Sequence, residues 1–199
     1  MVGGSGKIGF PISEALAEAG AQVCLASTQE DNHSAAAEKL RNQGLSAEGF
    51  YMDQSDQESV KACLQKIKTK FKIPDILVNC GCERPMKKYF EDSAENWDRS
   101  MAVNARGLFL TCRAFGKAMQ EQGGGSIINI SSIYGLVAPD PQLYEGTDMH
   151  QTEPDYPYNK GGMQMFSKYL ASFFAKDKVL VNCIAPGGFF NNQPEPFLS

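Results

Sequence analysis

The sequence predicts an α/β protein in which helices flank a doubly wound parallel sheet. Two observations support this prediction. Short apolar runs such as IPDILVNC (73–80) are rich in branched residues, as buried parallel strands are. These runs alternate along the whole chain with longer stretches whose apolar residues recur at helical spacing. With 199 residues, of which 42% are apolar, the chain is expected to form one domain over residues 1–199.

The first half of the chain is predicted to contain three helices and three strands. A glycine-rich turn leads into a helix that carries Ile8, Ile12 and Leu16 on one face and that Gly20 ends. A strand (21–27) and a polar helix (31–43) follow, and Gly44 closes that helix. The remaining elements of this half are a strand at 46–53, a helix with Val60, Leu64, Ile67 and Phe71 on its apolar face, and a strand at 73–80.

The second half is predicted to contain two long helices and two strands. A helix from about residue 96 to residue 122 precedes a buried strand at 123–133, and a helix from about 157 to 175 precedes a strand at 178–186. The segment 136–155 is polar and rich in Pro, Asp and Glu, and it is too long for a plain connection. It is therefore a candidate substrate loop.

Composition and charge exclude several classes of function. The net charge of −4 and the pI of about 5.3 give no general attraction to nucleic acid or to an anionic membrane. No apolar stretch approaches the roughly 20 residues of a membrane span, and the start lacks the pattern of a secretion signal. The six cysteines lie mostly in apolar runs, where a reduced thiol acts as a small hydrophobe, so the cytoplasm is the expected compartment. Cys80 and Cys82 could form half of a metal site, but the chain has only two histidines and no metal is expected.

The opening stretch MVGGSGKIGF contains GSGK, which raises the question of a nucleoside triphosphatase loop. Such a loop ends in Gly-Lys-Ser/Thr, because the hydroxyl holds a metal ion. Here Ile8 follows GSGK, and methionine stands where the first glycine of such a loop would be. The spacing Gly3-x-x-Gly6-x-x-Gly9 instead predicts a turn that holds a pyrophosphate at a helix N-terminus. A glycine-rich turn without a ligand is an equally common source of this pattern.

Tyr156 and Lys160 form a pair that could move a proton. They are four residues apart in YPYNK, so they share a helix face, and Pro157 suits the first turn of that helix. The lysine charge is expected to favour the phenolate and to lower the tyrosine pKa from about 10 towards neutrality. Ser132 lies at the end of the strand SIINISS, at the sheet edge where ligands bind, and its hydroxyl could bond a substrate carbonyl. A chance Tyr-x-x-x-Lys and a serine that merely forms a turn are the alternatives.

The glycine turn, NISSIYG, YPYNK and VNCIAPGG occur in an order that resembles the short-chain dehydrogenase/reductase family over nearly the whole chain. The resemblance implies a Rossmann-type three-layer α/β/α fold and hydride transfer between a nicotinamide cofactor and a carbonyl or alcohol of a small molecule. The catalytic residues that it implies are Asn104, Ser132, Tyr156 and Lys160. The cofactor-binding residues that it implies are Gly3, Ser5, Gly6, Lys7, Ile8, Gly9, Ser27, Thr28, Asp53, Gln54, Asn79, Cys80, Gly81, Pro186, Gly187 and Phe189.

The resemblance also implies a role for each catalytic residue. Tyr156 gives its proton to the carbonyl oxygen as hydride arrives, or takes the proton during oxidation. Lys160 tunes that phenol and grips the nicotinamide ribose. Ser132 polarises the carbonyl, and Asn104 holds a water in the proton relay.

Some positions depart from the family's pattern. Lys7 stands where single-domain members usually carry a second glycine, and the segment 79–82 (NCGC) matches the family's Asn-Asn-Ala-Gly motif only at its first position. Ser27 and Thr28 are neutral where an NAD enzyme carries an acid, and Lys7 lies near them in the loop. The cofactor is therefore expected to be NADP(H) or NAD(H), with NADP(H) favoured.

The two ends of the chain lead to a further expectation. Only Met1 and Val2 precede Gly3, where the family has a central first strand, and the chain stops at Ser199, where the family has a further helix and strand. A central strand typically buries several branched side chains at about 1.5–3 kcal/mol each, which is comparable to a domain's whole stability of about 5–15 kcal/mol. An incomplete domain that lacks the first central strand and the last strand is expected, from a fragment or a partial gene product.

The insertion between Ser132 and Tyr156 and the tail APGGFFNNQPEPF resemble a subgroup of reductases in flagellin-modification and nonulosonic-acid pathways. This resemblance implies a sugar or amino-sugar derivative as the substrate. The family resemblance implies a homo-oligomer for full-length members. Two other interpretations stay open, namely a non-catalytic dinucleotide sensor and an inactive remnant that binds no cofactor.

Overall fold

Strands and α-helices alternate along residues 1–149 and 151–193, which are the residues that this computed structural model describes. The end of the tail used above for the subgroup resemblance lies outside them. The strands are β1 (Val23–Ser27), β2 (Ala47–Tyr51), β3 (Ile76–Asn79), β4 (Gly125–Ile130) and β5 (Val179–Ile184). The helices are α1 (Gly9–Glu18), α2 (Glu30–Asn42), α3 (Gln57–Lys70), α4 (Ala94–Ser100), α5 (Gly107–Gln122) and α6 (Asp155–Phe173).

The strands form a parallel sheet whose two parts are joined through Val2. β1 pairs with β2, and β3, β4 and β5 pair in that order, all in parallel. The Val2 N–H donates to the Val78 carbonyl oxygen at 2.9 Å, and the Val2 carbonyl oxygen accepts from the Cys80 N–H at 3.0 Å. On the other side Val2 forms a parallel bridge with Ala26. The order is therefore β2-β1-Val2-β3-β4-β5, and the predicted doubly wound parallel sheet is confirmed, with a single bridging residue at its centre.

Helices pack on both faces of this sheet. Ala17 of α1 and Leu40 of α2 join Leu25 of β1 in one buried apolar cluster. A larger cluster joins residues of α3, α5 and α6 to the strands, among them Val60, Phe115, Met163, Leu77 and Val181. The apolar periodicity that predicted the helices therefore marks the faces that bury against the sheet.

The long helix predicted for residues 96–122 contains an irregular segment. α4 and α5 are joined without a break by a π-helical segment, Met101–Arg106. Such a segment widens the helix locally and occurs frequently at functional sites. It contains the buried Asn104. The helix then ends at Gly123, whose φ of +90° is left-handed.

The segment predicted as a substrate loop is partly ordered by hydrogen bonds. A 3₁₀ turn covers Pro141–Tyr144, and the Tyr144 and Tyr134 hydroxyls are 3.0 Å apart. The Glu153 carboxylate accepts a hydrogen bond from the Tyr89 N–H at 2.8 Å. These contacts join the middle of the segment to Tyr134 and its end to Tyr89. Within the described ranges, no helix has the length and apolar character needed to cross a membrane.

Candidate active site

The carboxyl end of β4 and the first two turns of α6 are held together by hydrogen bonds. The Lys160 ammonium, which is 5% exposed, donates to the Ile130 carbonyl oxygen at 2.7 Å. In return, the Ser131 hydroxyl donates to the Lys160 carbonyl oxygen at 2.8 Å. Because α6 begins at Asp155, Tyr156 lies in its first turn, above this connection. The end of a parallel strand is thus joined to a helix that carries a phenol and an ammonium.

Ser132 and Tyr156 are brought into direct contact. The Ser132 hydroxyl lies close enough to the Tyr156 phenol to lower the pKa of that phenol. The Ser132 oxygen also accepts from the Tyr134 N–H at 3.2 Å, which orients the serine side chain. The Lys160 nitrogen lies 5.6 Å from the centre of the Tyr156 ring. The three side chains expected at one catalytic centre therefore lie side by side at the sheet edge.

Burial decides the protonation state of Tyr156. Loss of solvent raises the pKa of the Tyr156 phenol above its ordinary value, because burial disfavours the phenolate. The Ser132 hydrogen bond and the Arg84 charge lower this pKa, but they do not outweigh burial. This differs from the expectation that the Lys160 charge lowers the pKa, since the ammonium is directed to the Ile130 carbonyl oxygen. Near neutral pH the phenol is therefore protonated and able to donate.

Asn104 holds the chain segment that follows β3. Its amide oxygen accepts from the Glu83 N–H at 2.9 Å, and its amide nitrogen donates to the Glu83 carbonyl oxygen at 2.7 Å. The same nitrogen lies 3.1 Å from the Ser100 hydroxyl oxygen. The side chain thus fixes the backbone beside the active centre. The water-holding role that the resemblance implies for Asn104 stays a prediction.

A buried polar cluster beneath the start of α6 was missed by sequence reasoning. The Ser100 hydroxyl donates to the Asp155 carboxylate, and the Asn159 amide donates to the Asp155 carbonyl oxygen at 2.8 Å. Asp155 is only 1% exposed. The only signal was its position directly before Tyr156.

A cleft of about 650 Å³ runs along the carboxyl edge of the sheet. Nine of the predicted cofactor-binding residues line it: Gly3, Ser5 and Gly6 of the glycine turn, Ser27 and Thr28 after β1, Asp53 and Gln54 after β2, and Cys80 and Gly81 after β3. A β-carbon on Gly3 would lie 2.6 Å from the Gly81 backbone, and Gly3 has a φ of +69°. Only glycine allows this close approach. The open turn beside a helix start suits a pyrophosphate, so these residues fit a dinucleotide.

The polar groups of this cleft are partly engaged with each other. The Ser55 N–H and hydroxyl donate to one Asp53 carboxylate oxygen at 2.8 Å and 2.7 Å. The Gln54 amide donates to the Val103 carbonyl oxygen at 2.8 Å. The second Asp53 oxygen has no such partner within the described ranges. It is therefore the group at the β2 end best suited to accept a ligand N–H.

Seven predicted cofactor-binding residues do not line the cleft, four of them in or before α1 and in β3, and three after β5. Asn79 is 4% exposed, and its amide donates to the Asn129 amide oxygen at 2.8 Å inside the sheet. Its side chain is therefore structural. The Lys7 ammonium donates to the Asn191 amide oxygen at 2.7 Å, instead of lying free beside the β1 end. The other two of these four, Ile8 and Gly9, form the start of α1.

The segment after β5 crosses the site. The Pro186 carbonyl oxygen accepts from the Ile133 N–H at 3.0 Å, directly after Ser132. Further along, Asn191 contacts Lys7 of the glycine turn. Gly187 and Phe189, also predicted to bind the cofactor, lie between these two contacts, and Phe189 is half exposed. The segment therefore spans from the Ser132–Tyr156 pair to the glycine turn.

Further residues that line the cleft had no motif to reveal them. They are Gln29, Asn32, Ser55, Glu83, Arg99 and Val103. The Arg99 guanidinium forms an ion pair with the Glu83 carboxylate. For Gln29, Asn32 and Ser55, the sole sequence signal was their position shortly after the end of a predicted strand. Residues 1–149 and 151–193 contain no group of three His, Cys, Asp or Glu side chains placed to hold a metal ion.

The fold and the cleft together define a Rossmann-type α/β protein. The chain belongs to the short-chain dehydrogenase family, whose family model matches residues 1–192. The D-threitol dehydrogenase of Mycolicibacterium smegmatis is 32% identical over 186 residues, which are 94% of this chain and 67% of that protein. The oxidoreductase YxbG of Bacillus subtilis is 33% identical over 188 residues, which are 94% of this chain and 64% of that protein. The chain thus spans about two thirds of the length of these relatives.

A solved structure shares the fold at similar coverage. The gluconate 5-dehydrogenase from Burkholderia cenocepacia, solved in complex with NADP and tartrate, superposes with a TM-score of 0.83 at 26% identity. The match covers 96% of this chain and 71% of that one.

Proposed function

We propose that this protein is an NAD(P)-dependent oxidoreductase that interconverts an alcohol and a carbonyl on a small polyhydroxylated molecule. The observation that supports the proposal is the contact between Ser132 and Tyr156 at the carboxyl edge of the sheet, next to the cleft behind the glycine turn. A nicotinamide dinucleotide in that cleft would accept or supply the hydride. Named dehydrogenases among the relatives support the same class of reaction.

The residues of this chain would handle the proton. In the reducing direction the protonated Tyr156 phenol donates its proton to the substrate oxygen as that oxygen gains electrons. The Ser132 hydroxyl, which lies beside the phenol, donates its single proton to the same oxygen and stabilises the developing charge. The Lys160 ammonium lies on the same helix face, 5.6 Å from the centre of the Tyr156 ring, and would have to turn from the Ile130 carbonyl oxygen to stabilise the phenolate left behind. In the oxidising direction the phenolate takes the proton back.

For the cofactor we propose NADP(H) in preference to NAD(H). Ser27 and Thr28, which line the cleft after β1, carry no charge to repel a 2′-phosphate. The gluconate 5-dehydrogenase neighbour was solved with NADP, which supports this preference. Lys7 is bonded to Asn191, so a contact with the phosphate would require that hydrogen bond to open. Fluorescence titration should give a lower Kd for NADPH than for NADH, and tighter binding of NADH would refute the preference.

For the substrate we propose a sugar or a sugar derivative. Threitol and gluconate, named in two of the similar proteins, are both polyhydroxylated carbon chains. The resemblance to flagellin-modification and nonulosonic-acid reductases stays a narrower prediction within this class. A homo-oligomer and a cytoplasmic location stay predictions as well. Each cysteine is free in the structure, which suits a reducing compartment.

The proposal is tested by removing the Tyr156 hydroxyl. Tyr156→Phe should lower kcat by about 10²–10⁴-fold, which is the usual contribution of a positioned proton donor. The Kd for NADPH should not change, because the phenol lies at the reacting centre and not in the dinucleotide cleft. Tyr158→Phe is the matched control, since this tyrosine lies on the same helix, is 63% exposed and packs on Trp97. The control should keep full turnover.

The outcomes separate the proposal from its alternatives. NADPH binding without turnover of any carbonyl or alcohol by the wild type would indicate a non-catalytic sensor. No binding at all would indicate an inactive remnant. Retained turnover in Tyr156→Phe would refute the role of Tyr156 even if the enzyme class is right.

A further inference from the structure

Arg84 presents a positive charge beside the proposed proton donor. Its guanidinium carbon lies 4.6 Å from the centre of the Tyr156 ring, and the side chain is exposed. Its charge also acts on Tyr144 of the loop between Ser132 and Tyr156, so it lies towards that loop. A substrate that reaches the Ser132–Tyr156 pair from the loop side therefore passes close to this guanidinium.

The backbone that carries Arg84 is fixed. The preceding residue, Glu83, is held by both its N–H and its carbonyl oxygen through Asn104. The ring of Tyr156 supports the guanidinium from one side. The position of the charge is therefore set by the same elements that build the active centre.

Glu83, next to Arg84 in the chain, and Glu153 and Asp155, just before Tyr156, all have partners other than Arg84. Glu83 pairs with Arg99, Asp155 accepts from Ser100, and Glu153 accepts from the Tyr89 N–H. Within residues 1–149 and 151–193, Arg84 has no ion pair and no hydrogen bond, so its planar fork of N–H donors is open. A guanidinium of this kind is suited to bind a carboxylate with two parallel hydrogen bonds.

We infer that Arg84 is a specificity-determining residue that binds a carboxylate on the substrate, so that the preferred substrates are sugar acids and not neutral polyols. This inference rests on the proposed function, because the carboxylate would belong to the molecule whose alcohol or carbonyl meets Tyr156. One guanidinium matches one carboxylate in charge. The gluconate and tartrate named for the neighbouring structure are both hydroxy-acid anions, which supports the assignment.

Arg84 also affects the acidity of Tyr156, and the experiment must separate this effect from binding of the carboxylate. Its charge lowers the pKa of Tyr156, so its loss would raise that pKa and make the phenol a weaker acid with every substrate. That effect is equal for an acid and for the matching polyol. The ratio of the two kcat/KM values therefore isolates binding of the carboxylate.

The experiment measures oxidation of two matched pairs with NADP⁺ and with NAD⁺: D-gluconate against D-glucitol, and D-threonate against D-threitol. The full chain is compared as wild type, Arg84→Gln and Arg84→Lys. Arg113→Gln is the matched control, because Arg113 is an exposed arginine that lies 4.8 Å over the Phe109 ring on α5. Tartrate binding is measured by calorimetry on the same four proteins, with and without NADP⁺, as a readout independent of turnover.

The wild type should prefer the acid of a pair, and Arg84→Gln should reduce that preference by about 10–100-fold, mainly through KM for the acid. Arg84→Lys should retain part of the preference, Arg113→Gln all of it, and tartrate binding should weaken in Arg84→Gln by a similar factor. Equal kcat/KM for acid and polyol in the wild type, or an equal loss for both in Arg84→Gln, would overturn the inference. Arg84-dependent tartrate binding without turnover of either pair would support the anion site and refute the proposed function. Absence of both turnover and tartrate binding would refute both.

Discussion

Gly9→Ala tests whether the glycine turn has the close packing on which the cofactor cleft depends. A β-carbon on Gly9 would overlap the Gly3 carbonyl oxygen and would lie 2.9 Å from the Gly3 carbonyl carbon. These are backbone atoms, so no side chain can rotate away to make room. The same Gly3 oxygen accepts the Gly6 N–H at 3.2 Å, and that hydrogen bond closes the turn.

The magnitude follows from three contributions. Forcing a methyl group into a packed site destabilises by about 1–3 kcal/mol. Loss of the Gly6–Gly3 hydrogen bond adds about 0.5–1.5 kcal/mol. Alanine in place of glycine at a helix position stabilises the folded state by about 0.5–1 kcal/mol, which offsets part of this loss. The net expectation is a loss of about 0.5–4 kcal/mol. For a chain of 199 residues each kcal/mol lowers Tm by about 2–4 °C.

The assay combines thermal unfolding with NADPH titration. Displacing Gly3 moves the turn that lines the cleft, so loss of a phosphate contact should raise the NADPH Kd by about 10–100-fold. Gly162→Ala on α6 is the control, because a β-carbon there meets nothing within 4 Å. It should stabilise the protein by about 0.5–1 kcal/mol and leave the Kd unchanged. If Gly9→Ala matched this control in Tm and Kd, the packing argument for the turn would be refuted.

Two further predictions concern the buried thiols and Asn104. Burial raises the pKa of Cys63 to about 11 and that of Cys112 to about 12, from an ordinary value of 9.0. As pH rises above 9 the unfolded thiols lose protons while the folded ones keep them, so the free energy of unfolding should fall by about 2–5 kcal/mol between pH 9 and pH 11. Denaturant titrations at several pH values measure this fall, and a flat profile would contradict it. Asn104→Ala should destabilise by about 1–3 kcal/mol, because the Glu83 backbone loses both partners, and should raise substrate KM more than NADPH Kd. An unchanged Tm would show that the two hydrogen bonds between Asn104 and the Glu83 backbone do not contribute to stability.

Much of the fold was predictable because it depends on local periodicity. The five predicted strand regions each contain an observed strand, and each observed strand is two to five residues shorter than its predicted region. The difference arises because a strand ends where its backbone stops hydrogen bonding to the neighbouring strand. A pattern of apolar residues does not show that point. The π-helical segment at 101–106 was not predictable, because its apolar spacing is that of an ordinary helix.

The candidate site was predictable only in part. The spacing of Tyr156 and Lys160 places them on one helix face whatever surrounds the helix. The direction of the Lys160 ammonium, towards the Ile130 carbonyl oxygen, depends on how α6 packs on β4. For the same reason the predicted lowering of the Tyr156 pKa was wrong in sign, because burial is a property of the packed protein.

By itself the sequence determined the order of strands and helices, and hence a parallel sheet with its ligand edge at Ser132 and the glycine turn. The tertiary structure alone decided that Asn79 is buried in the sheet, that Lys7 reaches Asn191 and that Arg84 lies over Tyr156. Lys7 and Asn191 are 184 positions apart in the chain, and Arg84 and Tyr156 are 72 positions apart. The reason is physical: periodicity reports which face of an element is apolar, whereas these contacts exist only after separate elements have packed together.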